Sequence, residues 1–398
     1  MSREIARIVA LERAPDDVEE VLRLVGCVEG YALRDVQIRA LSRIAAARGG
    51  LFPIGVGFGK FLISVLAPTV LRCTGSALLL VPPALVVQTR NEIEIWKERV
   101  SISPALVVMS YGRISTVEGK GEIERLRPDV IVADEAHLLR RRESARTRRV
   151  LRYFLRHEET RFVALSGTLL SRSLSDASHL SELALRDLSP IPRLFSELRS
   201  FSRVIDVRPD EPPTAFDRRR VEPLLAWSGE TDPRRAFFRR LETAPGVLVT
   251  KTSAFGASLE VYLHPYDLDP ELEEALRVVV ETWTSPDGVE LSSPMDVARV
   301  TRQLLSGYFT RWKWPEGVVD VPWLEARNEW SRVCREYLKR NRQDLDTPFE
   351  VVLAVREGRA PSHVSRAWEA WEVFADTPPP PVVPVWISRS PVDFLRGL

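Results

Sequence analysis

Arg127-Pro128-Asp129-Val130-Ile131-Val132-Ala133-Asp134-Glu135-Ala136-His137 and, further on, Arg161-Phe162-Val163-Ala164-Leu165-Ser166-Gly167-Thr168 share one form. Each is an apolar run with polar residues only at its C-terminal end. A strand with one wet face would alternate, whereas a strand apolar on both faces is that of a fully buried parallel sheet. Open α/β sheets place their chemistry at the carboxyl ends of the strands, and Asp134 and Glu135 stand side by side at such an end. Two adjacent carboxylates suit a magnesium-bound nucleotide, one holding the metal's water shell and the other polarising the attacking water. The same pair also fits a plainer role, offsetting the dipole of a helix N-terminus.

The choice between the two roles comes from upstream. Gly49-Gly50-Leu51-Phe52-Pro53-Ile54 leads into Gly55-Val56-Gly57-Phe58-Gly59-Lys60-Phe61 and then into the apolar, helix-like Leu62-Ile63-Ser64-Val65-Leu66. Closely spaced glycines before a lysine let backbone N–H groups curl around phosphates at a helix N-terminus, and the lysine reaches the outer phosphates. A strict phosphate loop has glycine at position 54, where this chain has Ile54.

A glycine loop, then Asp-Glu-Ala-His, then Ser-Gly-Thr, each after an apolar strand, resembles the first RecA-like lobe of superfamily-two helicases and translocases, the Swi/Snf-like or DEAH-box kind. The resemblance covers roughly Leu33 to Leu170. Leu33-Arg34-Asp35-Val36-Gln37 is similar to the family's Leu-Arg-x-x-Gln element, which makes Gln37 the expected adenine contact. Gly57 to Lys60 is similar to motif I, so Gly55, Gly57, Phe58, Gly59, Lys60 and Phe61 are expected around ATP. Leu79 to Gln88 is similar to motif Ia, which implies nucleic-acid backbone contacts near Pro82 and Gln88; Ser110-Tyr111-Gly112 is a looser match to a further such motif. Asp134 to His137 is similar to motif II, implying Mg2+ held through water by Asp134, catalysis by Glu135 and Lys60, and His137 beside the nucleotide. Ser166, Gly167 and Thr168 are similar to motif III, which couples the nucleotide site to nucleic acid.

One departure bears on turnover. The family has threonine or serine after the motif I lysine to ligate magnesium, and this chain has Phe61. A phenyl ring cannot ligate a metal, so nucleotide binding rests on the loop amides and Lys60.

The 398 residues suffice for two to three domains with a sizeable core. Hydrophobic content of 44% and charged content of 28% are those of an ordinary globular protein, and the net charge of +1 gives no global basic field, so a nucleic-acid site has to be a local patch. Arginine supplies nearly all the basic residues, with lysine only at 60, 97, 120, 251, 313 and 339, a codon-usage signature rather than one of phosphate binding. Cys27, Cys73 and Cys334 have neither metal spacing nor a disulfide framework, so a reducing cytoplasm is expected, that of a bacterial host if the chain is phage-encoded. The N-terminus lacks the apolar core of a signal peptide, and no apolar run reaches bilayer length, so no membrane is expected.

The expected layout is α/β: an N-terminal lead-in over 1–30, a P-loop RecA-like parallel-sheet lobe over 31–185, a linker or insertion with short strands over 186–265, a Trp-rich helical region over 266–375, and a Pro-rich tail over 376–398. In the lead-in, Ile5 to Leu11 reads as a short strand, and Ala14-Pro15-Asp16-Asp17 opens an amphipathic helix through Val25. A second amphipathic helix spans 31–47. Strands are expected at 51–54, 77–81, 105–109, 130–133 and 162–165, alternating with helices. Arg140 to Arg149 is a basic run in which Arg141 and Arg142 face backbone phosphates or, on the plainer view, solvent. Arg234, Arg235, Arg239 and Arg240 with Phe237 and Phe238 suggest a packed amphipathic helix. Val247 to Thr250 and Leu259 to Leu263 read as two strands. The tryptophans of 270–371 make a helical-bundle core or, around Arg311-Trp312-Lys313-Trp314, a stacking platform for bases; this layout resembles the region between the two lobes of phage-encoded helicases. After the stiff Pro378 to Pro381, Val382 to Ile387 reads as the opening strand of a second RecA-like lobe, which the sequence does not continue.

Three functional classes follow. The first is the ATP-binding half of a helicase or translocase acting on nucleic acid, double-stranded DNA by the resemblance, with its second lobe on another chain. The second is a non-catalytic relative that binds nucleic acid or protein. The third is an unrelated P-loop NTPase or kinase.

Overall fold

The computed structural model describes residues 2–116, 119, 121–169, 173–207, 209, 211–250, 266–289, 291, 294–341, 345 and 347–397. The chain divides into two compact units, Met1–Ala257 and Ser258–Leu398.

Unit 1 begins with helices α1 (Arg3–Val9), α2 (Val18–Val25) and α3 (Asp35–Ala47). Strand β1 (Gly50–Phe52) leads into α4 (Lys60–Val70), β2 (Ala77–Val81) into α5 (Val86–Trp96), and β3 (Leu106–Ser110) into α6 (Glu122–Leu126). Then follow β4 (Val130–Asp134), α7 (Ala145–Arg156), β5 (Arg161–Leu165), α8 (Leu174–Leu185), α9 (Phe195–Ile205), α10 (Ala215–Ser228) and α11 (Pro233–Thr243). The five strands form one all-parallel sheet in the order β1-β5-β4-β2-β3.

The uniformly apolar strands are explained by two cores, one on each face. Leu78, Leu80, Ile131, Ala133, Phe162 and Ala164 pack into one. Their alternates Ala77, Leu79, Val81, Val130, Val132, Val163 and Leu165 pack into the other. Each such aliphatic side chain, fully removed from water, contributes about 1.5–3 kcal/mol. The register sets Asp134 opposite Leu165, so β4 and β5 end together, and Gly50 opposite Val163 brings β1 alongside.

Two expectations change in unit 1. Ile5 to Leu11 is not a strand: Ser2 caps a helix by accepting from the Ile5 N–H, Glu4 pairs with Arg7 one turn on, and the buried apolar positions Ile5 and Ile8 are three apart. Val247 to Thr250 contributes a single parallel bridge, Val247 beside Leu51, and then runs extended along the end of β1 as the Thr250 N–H donates to the Pro53 carbonyl at 3.2 Å. Leu259 to Leu263 lies outside the described residues.

Unit 2 contains α12 (Pro270–Thr282), α13 (Pro294–Leu304), β6 (Tyr308–Trp312), α14 (Val321–Arg340), α15 (Pro348–Arg356), α16 (Ser362–Ala375), β7 (Val382–Trp386) and α17 (Ser390–Gly397). The expected strand at 382 forms, but it pairs antiparallel with β6, Tyr308 opposite Trp386, and so does not open a parallel sheet. Arg311 and Trp312 lie on that strand rather than on a helix. Trp312, Trp314 and Trp323 meet edge to face with centroids 5.1–5.6 Å apart, and Trp371 joins Trp323 at 5.5 Å. The rings therefore pack against one another as a core does. Asp and Glu outnumber Lys and Arg in unit 2, and the reverse holds in unit 1. Among the described residues no helix is long and apolar enough to cross a membrane.

Candidate functional site

The glycine loop between β1 and α4 starts where buried Phe52, Pro53 and Ile54 give way to partly exposed residues. Gly57 and Gly59 take φ of 87° and 74°, the left-handed region that glycine enters without penalty. Gly59 is the N-cap of α4 and offers no side chain, so the first-turn amides of that helix have no side-chain cap.

Three side chains grip the loop. Thr250 Oγ1 accepts from the Gly55 N–H at 2.9 Å. The Arg34 guanidinium donates to the Gly57 carbonyl at 2.7 Å. Gln37 Nε2 donates to the Gly59 carbonyl at 3.1 Å, while its Oε1 accepts from the Arg34 N–H at 2.8 Å. Gln37 is thus buried with both ends of its amide on protein backbone, fastening the loop to α3. Lys60 Nζ donates to the Ile54 and Gly55 carbonyls, both at 3.1 Å, and lies 3.9 Å from Glu135 Oε1. Phe58 and Phe61 are half-buried against the core on that face of the sheet.

Strand β4 delivers Asp134, and Glu135 follows in the left-handed conformation, φ 53° and ψ 48°. A residue with a Cβ spends about 1–2 kcal/mol to stand there, and such strain collects at functional sites. The payoff is reach. Ser166, at the end of β5, donates from Oγ to Glu135 Oε2 at 3.1 Å, and His137 Nδ1 lies 3.1 Å from the same oxygen and 2.9 Å from Ser166 Oγ. The Thr168 N–H donates to Ser166 Oγ at 3.2 Å. Beneath them, the fully buried Tyr111 donates its hydroxyl to the Asp134 carbonyl at 2.7 Å.

Burial pushes the Asp134 carboxyl up to about 6, the neighbouring Glu135 charge adds to the rise, and Lys60 and the Glu135 N–H oppose it. Among the described residues no group of three or more His, Cys, Asp or Glu is placed to hold a metal. Magnesium at a nucleotide is held by one or two carboxylates together with phosphate oxygens and water, and the Asp134 carboxyl belongs to that class of donor.

The structure therefore brings Lys60, Glu135, His137, Ser166 and Thr168 into one constellation, with Gly55, Gly57 and Gly59 beside it. Gly167 lies against the loop, since a Cβ there would stand 3.4 Å from the Ile54 carbonyl. The remaining candidates stay apart. Pro82 ends β2, and Gln88 is exposed on α5 with its amide on Glu92 at 2.7 Å. Arg141 and Arg142 are exposed between β4 and α7, whereas Arg149, from the same basic run, is buried and donates to the Ile114 and Thr116 carbonyls. Thr250, absent from the expected site, is a polar residue ending an apolar run, the same signal that marks Asp134 and Ser166. No family model matches the chain, and no curated protein sequence matches it.

Proposed function

We propose that the chain is the ATP-binding, RecA-like lobe of a helicase or translocase of the superfamily-two, Swi/Snf-like or DEAH-box class, acting on nucleic acid, DNA by the resemblance. What supports this reading above all is the meeting of Lys60, Glu135, His137 and Ser166 at the carboxyl ends of adjacent parallel strands, beside an uncapped helix N-terminus. Three segments chosen for their sequence pattern converge in space, as a nucleotide site of this kind requires.

In this reading the α4 amides and the glycine loop receive the phosphates, and Lys60 exchanges its two carbonyl partners for phosphate oxygens. Asp134 is the residue that would hold Mg2+ through its water shell, and the metal would supply positive charge against the phosphates. Glu135, held through Oε2 by Ser166 and His137, orients the attacking water and takes its proton as the bond to ADP breaks. Arg141, Arg142, Pro82 and Gln88 line the approach of the nucleic-acid backbone. In our proposal the arginine finger of a second lobe is supplied by another polypeptide.

One observation favours a second reading, a non-catalytic nucleic-acid or protein-binding module. Phe61 packs into the core at the first turn of α4, where the resemblance calls for a metal-ligating hydroxyl. Calorimetric titration with ATP, with and without Mg2+, separates the readings. The first expects saturable binding that Mg2+ strengthens, with Phe61→Thr increasing the Mg2+ dependence. No binding up to millimolar ATP by the folded protein would remove both the nucleotide site and the motor.

A further inference from the structure

Arg240, on α11, heads the fully buried large side chains of the protein, at 1% exposure. Its guanidinium lies 4.4 Å over the Trp227 ring of α10, and Nη1 donates to the Ile8 and Val9 carbonyls at the C-terminal end of α1, at 3.4 and 3.2 Å. Nε has no hydrogen-bond partner. Among the described residues no carboxylate pairs with Arg240, and the charge that acts on it most is another cation, Arg13. Burial and Arg13 both lower the Arg240 pKa. Asp16, whose charge reaches Arg13, is hydrogen-bonded to Arg39 and Arg43.

A guanidinium carries five N–H donors, and a buried charge is normally paired because desolvating it alone is costly. Two carbonyls at the end of a seven-residue helix supply only a partial negative charge. Arg240 also forms part of the wall of a cleft of about 590 Å3, open to solvent, together with Val9, Leu11, Arg13, Trp227 and Thr243. Arg13 is fixed there by donating to the Glu242 carbonyl at 2.6 Å. Glu12, exposed on the rim, is the one carboxylate in the lining.

We propose that this cleft is an anion site, taking a carboxylate or phosphate group that completes the pairing of Arg240, with Arg13 as second cation and an apolar flank against Trp227, Val9 and Leu11. Two guanidiniums facing one cleft match the oxygens of either group. The site is independent of the glycine loop, and it would link ligand binding to the docking of α1 on α10 and α11.

The test uses the full chain carrying Lys60→Ala, so that phosphate at the glycine loop does not contribute. Thermal unfolding is followed in orthophosphate, acetate and chloride at equal ionic strength. Orthophosphate or acetate should raise the melting temperature along a saturating curve, as a ligand of the folded state does, and chloride should not. Which of the two acts assigns the group to a phosphate or a carboxylate. Arg13→Gln should weaken the half-saturation about tenfold or more, the scale of a lost charge-assisted hydrogen bond, and Glu12→Gln should strengthen it. Arg240→Lys, which keeps the charge but not the fork, should weaken it as well; if that variant does not fold, Arg13→Gln and Glu12→Gln carry the result. Identical melting in all three salts, or a saturable effect that Arg13→Gln and Glu12→Gln leave unchanged, overturns the site.

Discussion

Ser166 and Glu135 are 31 residues apart in the chain, yet the Ser166 hydroxyl donates to Glu135 Oε2 at 3.1 Å. The bond joins the ends of two neighbouring strands and fixes one oxygen of the carboxylate, leaving the other toward Lys60. Ser166→Ala should therefore act at two levels. It removes the Ser166 donor from Glu135 Oε2, leaving His137 beside that oxygen, and it removes the hydroxyl that accepts from the Thr168 N–H, a loss of about 0.5–1.5 kcal/mol at these solvent-accessible groups that urea denaturation would read. Under the motor reading it should also lower ATP turnover while leaving ATP affinity nearly unchanged. An unaltered denaturation midpoint would mean that the network contributes nothing.

The loop is tested by steric crowding. A Cβ at Gly59 would lie 2.3 Å from Gln37 Nε2, on a backbone at φ 74°. Gly59→Ala should destabilise the protein and abolish nucleotide binding. Adding Gln37→Ala removes the clash but not the left-handed strain of about 1–2 kcal/mol. The double variant should thus recover part of the lost stability, a coupling that a double-mutant cycle measures. Additive losses would place the Gln37 amide away from the loop.

Asp134 gives a pH prediction. Its carboxyl titrates near 6 in the folded chain against 3.8 as a free side chain. The fold favours the neutral form, so ionising this group costs stability progressively as pH rises from 3.8 through about 6. Asp134→Asn should be the more stable protein at pH 8, by on the order of 3 kcal/mol, and the advantage should vanish near pH 4. A divalent cation needs the ionised form, so Mg2+-dependent ATP affinity should climb as pH rises to 6 and level off above it.

His179 runs in the other direction. It is buried on α8 with Nε2 donating to the Leu139 carbonyl at 2.9 Å. Burial lowers its pKa from 6.5 to about 4; Arg142 lowers it further, and the Leu139 carbonyl and Glu143 oppose the shift. The neutral ring is the folded form, so its contribution is complete above pH 6.5 and is lost as pH falls toward 4, about 3 kcal/mol in all. His179→Gln should flatten this part of the stability profile relative to the wild type. Parallel profiles for the two proteins would show that the ring is not the titrating group.

The basic run after β4 separates by burial. Charge reversal at Arg141 and Arg142, both exposed, should flatten the salt dependence of nucleic-acid binding without affecting stability. Arg149→Ala should instead lower the melting temperature, because it strips the Ile114 and Thr116 carbonyls of a buried donor. A salt slope unchanged by the double reversal would return Arg141 and Arg142 to the role of solvated surface.

The sheet was legible because burial on both faces writes itself as unbroken apolar runs, and all five strands fall within a residue or two of where those runs lie. The site was legible where a polar residue ends such a run, as at Asp134 and Ser166. Elsewhere local pattern failed for identifiable reasons. Ile5 to Leu11 is short enough to suit either period, and Ser2 as cap decides for helix. Arg149 and Arg141 look alike in sequence, and only packing tells the buried one from the exposed one. The pairing partner of Val382 to Trp386 lies some seventy residues upstream, where no local signal announces it.

The Thr250 hydroxyl holds an amide 195 positions earlier in the chain. A ribosome releases the sequence from the N-terminus, and a domain folds as a unit once its residues have emerged. When Leu165 has been made, every strand of the five-stranded sheet exists, but the Gly55 N–H still lacks its acceptor, and Val247 has yet to close the open edge of β1. The glycine loop is thus the last part of the sheet's chemical edge to be finished, although it is encoded near the start. Residues up to Val247 also supply much of the core on one face of the sheet, so the site is completed by residues made long after its own segments.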